Sequence, residues 1–343
     1  MRAVVIHAER DLRVETVETP ALGATDVRVR IEAGGICGSD LHYYQHGGFG
    51  TIRLREPMVL GHEIAGRVEA VGAEVTRVKP GDRVAVNPSR PCGQCRYCQT
   101  GAQQHCLDMR FFGSAMRFPH VQGGFREQLV VTEHQAVKVA DHVGAAEAAF
   151  AEPLAVCLHA AKQAGPLLGK KVLVTGSGPI GALCVVAARA AGASEIVTTD
   201  VVDAPLATML KLGATRAVNV MSNPAVMTPY SAEKGHFDVL FEASGNQHAL
   251  VGAFDVLRPG AVIVQVGLGG TFTLPINTLV AKEFQLRGTF RFHEEFAQAV
   301  DLIGSGRIDL SPLLTATLPM ERAIEAFELA GDRARAMKVQ IAF

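Results

Sequence analysis

Apolar and polar positions change rhythm partway along the chain. Up to about residue 150 the apolar stretches are short and broken by Gly and Pro. Residues 27–31, 66–71 and 83–86 read as β-strands, and Pro80-Gly81-Asp82 as a turn between two of them. Residues 145–164 follow as a helical patch, apolar on most faces. From about Gly169 strands and helices alternate. Residues 171–175, 195–199, 239–242 and 261–266 read as strands; residues 180–191 and 205–212 read as helices closed by Gly192 and Gly213. Alternation at this spacing predicts an α/β fold, a parallel sheet with crossover helices. Beyond about Thr289 the chain leaves that sheet. Residues 296–303 and 320–329 read as amphipathic helices, and residues 337–341 as a closing strand.

Composition narrows the function classes. A chain of 343 residues suits two domains. Its formal net charge of −1 points to no basic face, and its lack of Trp to no aromatic platform, for nucleic acid. No apolar stretch is long enough to read as a membrane span. Residues 1–15 alternate apolar and charged positions and do not read as a targeting segment. The seven cysteines are odd in number and four of them cluster, which argues against a disulfide framework and for a reducing cytoplasm with thiolates holding metal.

Gly176-Ser177-Gly178-Pro179-Ile180-Gly181 fits the dinucleotide pattern G-x-G-x-x-G. The context matters more than the match: it follows an apolar strand, opens a helix, and is followed about twenty residues on by Asp200. Gly176 permits the tight turn, Gly178 lets the backbone approach a pyrophosphate, and Gly181 lets helix and strand pack closely. Asp200 can accept hydrogen bonds from both ribose hydroxyls and would repel a 2′-phosphate. Val201 and Val202 bring no cation to offset it. NAD is therefore expected ahead of NADP.

Cys92, Cys95, Cys98 and Cys106 fall within fifteen residues. Four thiolates close a tetrahedron around zinc and leave no open position, which makes the site structural. Three further pieces lie apart: Cys37 in Gly35-Ile36-Cys37-Gly38-Ser39-Asp40, His62-Glu63 after Gly61, and Glu152 before Pro153. A thiolate, an imidazole and a carboxylate form a mixed set with room for water or substrate, as catalytic zinc requires.

Taken together, these motifs resemble the zinc-containing medium-chain dehydrogenases. Gly61-His62-Glu63-Ile64-Ala65-Gly66, with Gly72 and Val75, fits that family's zinc signature, and Pro80-Gly81-Asp82-Arg83-Val84 is also typical. Glu152-Pro153-Leu154 and Thr289-Phe290-Arg291-Phe292 resemble the polyol, sorbitol-type branch. The stretch from Phe112 to His120 resembles the L-idonate 5-dehydrogenases, which act on a sugar acid. The resemblance implies a GroES-like β-rich catalytic domain, residues 1–149 and 290–343, with a doubly wound Rossmann domain, residues 150–289, between its parts. It implies two zinc ions per chain and a homotetramer or homodimer. Cys37, His62 and Glu63 are the implied catalytic zinc ligands. Glu152 holds or exchanges with zinc-bound water, and either carboxylate could be the direct ligand. Asp40 is expected to accept a hydrogen bond from His62. Val266, Gly267 and Leu268 would line the nicotinamide, with Thr289 and Arg291 also on the cofactor side. Tyr43, Arg291 and Phe292 match substrate positions. Two departures stand out: Pro205 where the branch often has Arg, and Phe292 where it has Tyr.

The implied chemistry is zinc-assisted oxidation of a secondary hydroxyl on a small polyol or sugar acid, with Ser39 and His42 relaying the proton outward. A sugar acid needs a cation for its carboxylate, for which Arg117 and Arg291 are the candidates. Threonine and butanediol dehydrogenases are the alternatives within the class. Outside it stands a zinc-stapled, NAD-binding sensor, disfavoured because a sensor needs no Lewis-acid site.

Overall fold

Six parallel strands form one sheet in the computed structural model, which describes residues 1–343. Their spatial order is Arg216–Asn219, Glu195–Asp200, Lys171–Thr175, Phe237–Glu242, Leu257–Gln265 and Gln285–Gly288. Chain order begins at Lys171–Thr175 and steps outward, then returns to start again on its other side at Phe237–Glu242. That reversal is the switch point where a doubly wound sheet binds its ligand, beyond the carboxyl ends of the strands. Leu173, Val197, Leu240 and Ile263 lie in its buried core. Strands covered on both faces read as continuous apolar runs, which is why these were visible in the sequence. The two edge strands were not. Arg216–Asn219 and Gln285–Gly288 each pair on one side only and are polar and half open.

This sheet and its helices form one unit, Pro153–Phe292 with Arg333–Met337. The other unit holds Met1–Glu152, His293–Asp332 and Lys338–Phe343. Arg333–Met337 thus groups with the parallel sheet although the sequence division assigns it elsewhere; Arg333 is tied there by an ion pair to Asp200.

The second sheet belongs to the β-rich unit and is mixed. Its strands run in the order Ala136–Lys138, Arg83–Val86, Glu63–Val71, Asp26–Gly35, Lys338–Ala342 and Leu314–Pro319, and Gln128–Thr132 also pairs with Asp26–Gly35. A hairpin of Arg2–Ala8 and Asp11–Thr16 extends over Met58–Val59. The expected helical patch at 145–164 is two helices, Ala145–Ala148 and Ala151–Ala164. Pro153 is the physical reason. It has no N–H to continue the ladder from the first helix, but fits the first turn of a new one. Likewise 320–329 begins as a tight turn, Met320–Arg322, before the helix Ala323–Gly331. No helix is long and apolar enough to cross a membrane.

Candidate functional site

The antiparallel pairing of three strands gathers the β-rich unit's ionisable groups at one end of its sheet. Gly35 closes the strand Asp26–Gly35 and lies opposite Glu63 on one side and Gln340 on the other. Cys37 follows directly, Glu63 opens one neighbouring strand, and Lys338 opens the other. The ligand atoms of Cys37, His62 and Glu63 come within 4.8 Å of one another. A Cβ on residue 35 would meet the Glu63 carboxylate at 2.1 Å, so only Gly leaves that carboxylate its place.

Lys338 is a residue that the sequence reading missed. Its ammonium lies 2.7 and 2.6 Å from the two oxygens of Glu63 and also donates to Ile36 O at 3.1 Å. Both side chains are buried, 4% and 1% exposed. Burial works to lower the lysine's pKa, but Glu63 and Cys37 outweigh it and the net shift is upward, so the ammonium stays charged. Nothing local in the sequence marks Lys338, because its partner lies 275 residues away.

Asp40 fastens the two ligand-bearing segments together. Its Oδ2 accepts from Cys37 N at 3.0 Å and its Oδ1 from Gly61 N at 3.2 Å. The expected bond to His62 is not made: Nδ1 is 3.8 Å from Oδ1, beyond hydrogen-bond range, and that buried nitrogen has no partner. The His62 ring packs instead against Phe111, with centroids 5.5 Å apart. Glu152, on the first turn of Ala151–Ala164, is buried and stands outside the trio. Burial first, and then Glu63 and Cys37, push its pKa up to about 8, against the pull of His62. Ser39 is half-buried and His42 exposed on the helix Gly38–His46. The donor chemistry and the short spacing fit a zinc ion at Cys37, His62 and Glu63.

Cys92, Cys95, Cys98 and Cys106 form the second cluster, again within 4.8 Å. Backbone amides point at the sulfurs: Cys92 N and Asp108 N donate to Cys106 Sγ at 3.1 and 3.3 Å. Backbone hydrogen bonds at Leu107 and Cys98 bring the Cys95 thiol down to about 6, which favours the thiolate that a metal needs. Arg117 belongs to this lobe. Its guanidinium donates to Met109 O at 2.8 Å and Leu107 O at 2.6 Å and pairs with Asp108 at 2.8 Å. Arg117 was expected to hold a substrate carboxylate; instead its Nε, Nη1 and Nη2 each contact the segment after Cys106.

In the parallel-sheet unit, Gly176 has φ +89° and Gly178 caps the helix Pro179–Ala190, with Ile180 in its first turn. A Cβ on Gly181 would meet Gly176 O at 1.8 Å, whereas one on Gly178 would meet nothing within 4 Å. That is the geometry of a helix N-terminus open to a phosphate. Asp200 is buried and its Oδ2 accepts from Ser177 N at 2.7 Å, which ties the acid to the glycine turn. Val266 N and Gly267 N donate to Glu242 O at 2.9 and 2.8 Å, and Leu268 is exposed beside them. Glu242, which the sequence reading passed over, is fully buried and accepts from Ser244 N, Gly245 N and Gln265 Nε2, so it fixes this loop. Thr289 Oγ1 is buried without a partner. Arg291 takes a positive φ of 53° and covers the Phe290 ring. Phe292 is buried, and so is Tyr43, whose hydroxyl accepts from Ala115 N at 2.9 Å.

Two outcomes follow for stability. In the metal-free protein Lys338→Met leaves Glu63 buried without any cation and is expected to cost about 3–5 kcal/mol, with Lys338→Arg recovering most of it. Urea midpoints would read this, and an unchanged midpoint in Lys338→Met would remove the pair from the account. Cys92→Ser is expected to lower the thermal midpoint and to make it insensitive to strong chelators, because structural zinc contributes directly to folding. A parent midpoint that chelators leave untouched would count against a structural ion in the lobe.

Residues 23–141 match the alcohol dehydrogenase GroES-like domain, and residues 179–305 match the zinc-binding dehydrogenase domain. The L-idonate 5-dehydrogenase (NAD(P)(+)) of Escherichia coli is 47% identical over 316 residues, 92% of this chain and 91% of that protein. The sorbitol dehydrogenase of Gallus gallus is 38% identical over 330 residues, 95% of this chain and 92% of that protein. The crystal structure of L-idonate 5-dehydrogenase from E. coli superposes with a TM-score of 0.94 at 44% identity, covering 100% of this chain and 98% of that one. The chain belongs to the zinc-dependent medium-chain alcohol and polyol dehydrogenases, with a GroES-like domain joined to a Rossmann-type dehydrogenase domain.

Proposed function

We propose that this enzyme oxidises the C5 hydroxyl of L-idonate, with NAD as hydride acceptor and two zinc ions per chain. The reaction class rests on one observation, the gathering of Cys37, His62 and Glu63 at the strand ends. The substrate is supported by the 47% identity to a relative named for it. Asp200 supports NAD through the ribose diol.

Cys37, His62 and Glu63 would hold the catalytic ion. When bound, zinc acts as a Lewis acid that makes a substrate hydroxyl acidic near neutral pH, and the nicotinamide accepts the hydride. The chain's own residues orient and carry the proton. Ser39 and His42 share one helix, half-buried and exposed in turn, and provide steps outward to solvent. Glu152, buried on the first turn of Ala151–Ala164, is assigned a role beside the ion, as a carboxylate in exchange with water. Asp40 does not touch substrate; it holds the backbones that present the ligands. Val266, Gly267, Leu268 and Thr289 are assigned to the nicotinamide side, and Tyr43 and Phe292 to the substrate side. With Arg117 committed to the lobe, Arg291 is the candidate for the sugar-acid carboxylate. We also place the enzyme in the cytoplasm as a homo-oligomer, tetramer or dimer; seven free thiols support the reducing compartment, and family analogy the assembly.

A second reading, a neutral polyol such as sorbitol or xylitol, is favoured by the loss of Arg117 as a carboxylate anchor. The two separate in kcat/KM measured on L-idonate, sorbitol, xylitol and L-threonine. L-Idonate is expected to lead. Arg291→Ala is expected to cost it about 1.5–3 kcal/mol, roughly ten- to a hundredfold, with the neutral polyols spared. Arg117→Ala is expected to act on acid and polyol alike. Faster turnover of sorbitol than of L-idonate in the parent would overturn the substrate and leave the reaction class standing.

A further inference from the structure

Asp200 ends the second strand of the parallel sheet, where an acid ordinarily selects against a 2′-phosphorylated cofactor. Its carboxylate is already heavily engaged. Oδ2 accepts from Ser177 N at 2.7 Å, and Oδ1 accepts from Val201 N at 2.7 Å and Val202 N at 3.1 Å. The remaining partner is a cation. Arg333 Nη2 lies 3.1 Å from Oδ2 and 3.4 Å from Oδ1, spanning both oxygens. Asp200 is only 2% exposed in its side chain, while Arg333 is 61% exposed.

Two consequences follow from this arrangement. The negative charge of Asp200 is offset by three amide dipoles and a full positive charge, so the field that would repel a phosphate is weakened. Arg333 also contacts Asp200 through Nη2 alone, and its Nε and Nη1 groups have no partner in the chain. A guanidinium with donors to spare, held beside the ribose acid, is suited to a phosphate oxygen. The other carboxylate on this loop, Asp203, is itself bound by Asn219 Nδ2 at 2.7 Å.

We propose that Arg333 determines cofactor specificity: it admits the 2′-phosphate of NADP beside Asp200, so that the enzyme accepts NADP as well as NAD. The proposal rests on the reading of this unit as the dinucleotide domain. Asp200 serves the ribose diol of NAD when Arg333 turns aside, and Arg333 serves the 2′-phosphate when that group is present. Arg333 comes from a segment 133 residues further along the chain, so no inspection of the residues after the strand would find it.

The test uses the full-length zinc enzyme and two adenosine fragments, 5′-AMP and 2′,5′-ADP, titrated calorimetrically. These report on the ribose pocket without turnover. Arg333→Ala is expected to weaken 2′,5′-ADP by about tenfold or more, as loss of a charge-assisted bond does, and to change 5′-AMP by less than about threefold. Arg333→Lys is expected to recover part of the loss. In kinetics, kcat/KM for NADP is expected to fall with the same ordering while that for NAD holds. Arg333 is exposed, and thermal melts would verify that its variants fold. Failure of the parent to bind 2′,5′-ADP while binding 5′-AMP would overturn the proposal and leave the NAD reading intact, as would an equal loss of both ligands in Arg333→Ala. Failure to bind either fragment would overturn the dinucleotide reading along with it.

Discussion

A charged carboxylate buried at the end of a sheet is costly when unpaired, and in this chain Glu63 is paired with Lys338. Their pairing draws together three strands that are far apart in sequence, and the rest of the β-rich unit's site is built on that junction. The antiparallel register sets the amino ends of two strands beside the carboxyl end of a third. Cys37 stands two residues beyond that carboxyl end, and His62 directly precedes Glu63. Asp40 completes the frame by taking one amide from each ligand-bearing segment. Removing one charge from such a group leaves its partner buried and uncompensated, which is why the pair acts as a constraint on the fold as well as on the site.

The parallel-sheet unit repeats the logic with different parts. Asp200 is buried and receives the amide of Ser177 from within the glycine turn, so the acid and the phosphate-binding turn are held as one piece. Glu242, on the strand beyond Lys171–Thr175 and across the switch point, gathers the amides of Ser244 and Gly245 and so shapes the loop that Val266 and Gly267 join. In both units a buried carboxylate spends its lone pairs on backbone N–H groups of the functional loops. The loops are thereby fixed by charge-assisted bonds rather than by apolar packing.

Much of this was legible in the sequence, and for physical reasons. Clustered Cys92, Cys95, Cys98 and Cys106, and the run from Gly176 to Gly181, are local signals: spacing alone brings their atoms together. Central strands such as Lys171–Thr175 and Arg83–Val86 announce themselves by apolar runs. What was not legible depends on contacts between distant segments. Lys338 pairs across 275 residues and Arg333 across 133, and each looks like an ordinary basic residue near the chain's end. Arg117 shows the opposite error. Its place in a distinctive motif suggested a substrate contact, yet its guanidinium is consumed by carbonyls eight and ten residues back. His62 and Asp40 were expected to hydrogen-bond and instead stand 3.8 Å apart, because Asp40 gives its oxygens to backbone amides.

The central claim is that the two donor clusters hold zinc in different roles, one closed for structure and one open for chemistry. Elemental analysis of the purified enzyme, taken with activity through a timed chelation, tests it most directly. Two zinc ions per chain are expected, with turnover vanishing as the first is lost and the fold persisting until the second follows. A fully active enzyme that contains no zinc would contradict it.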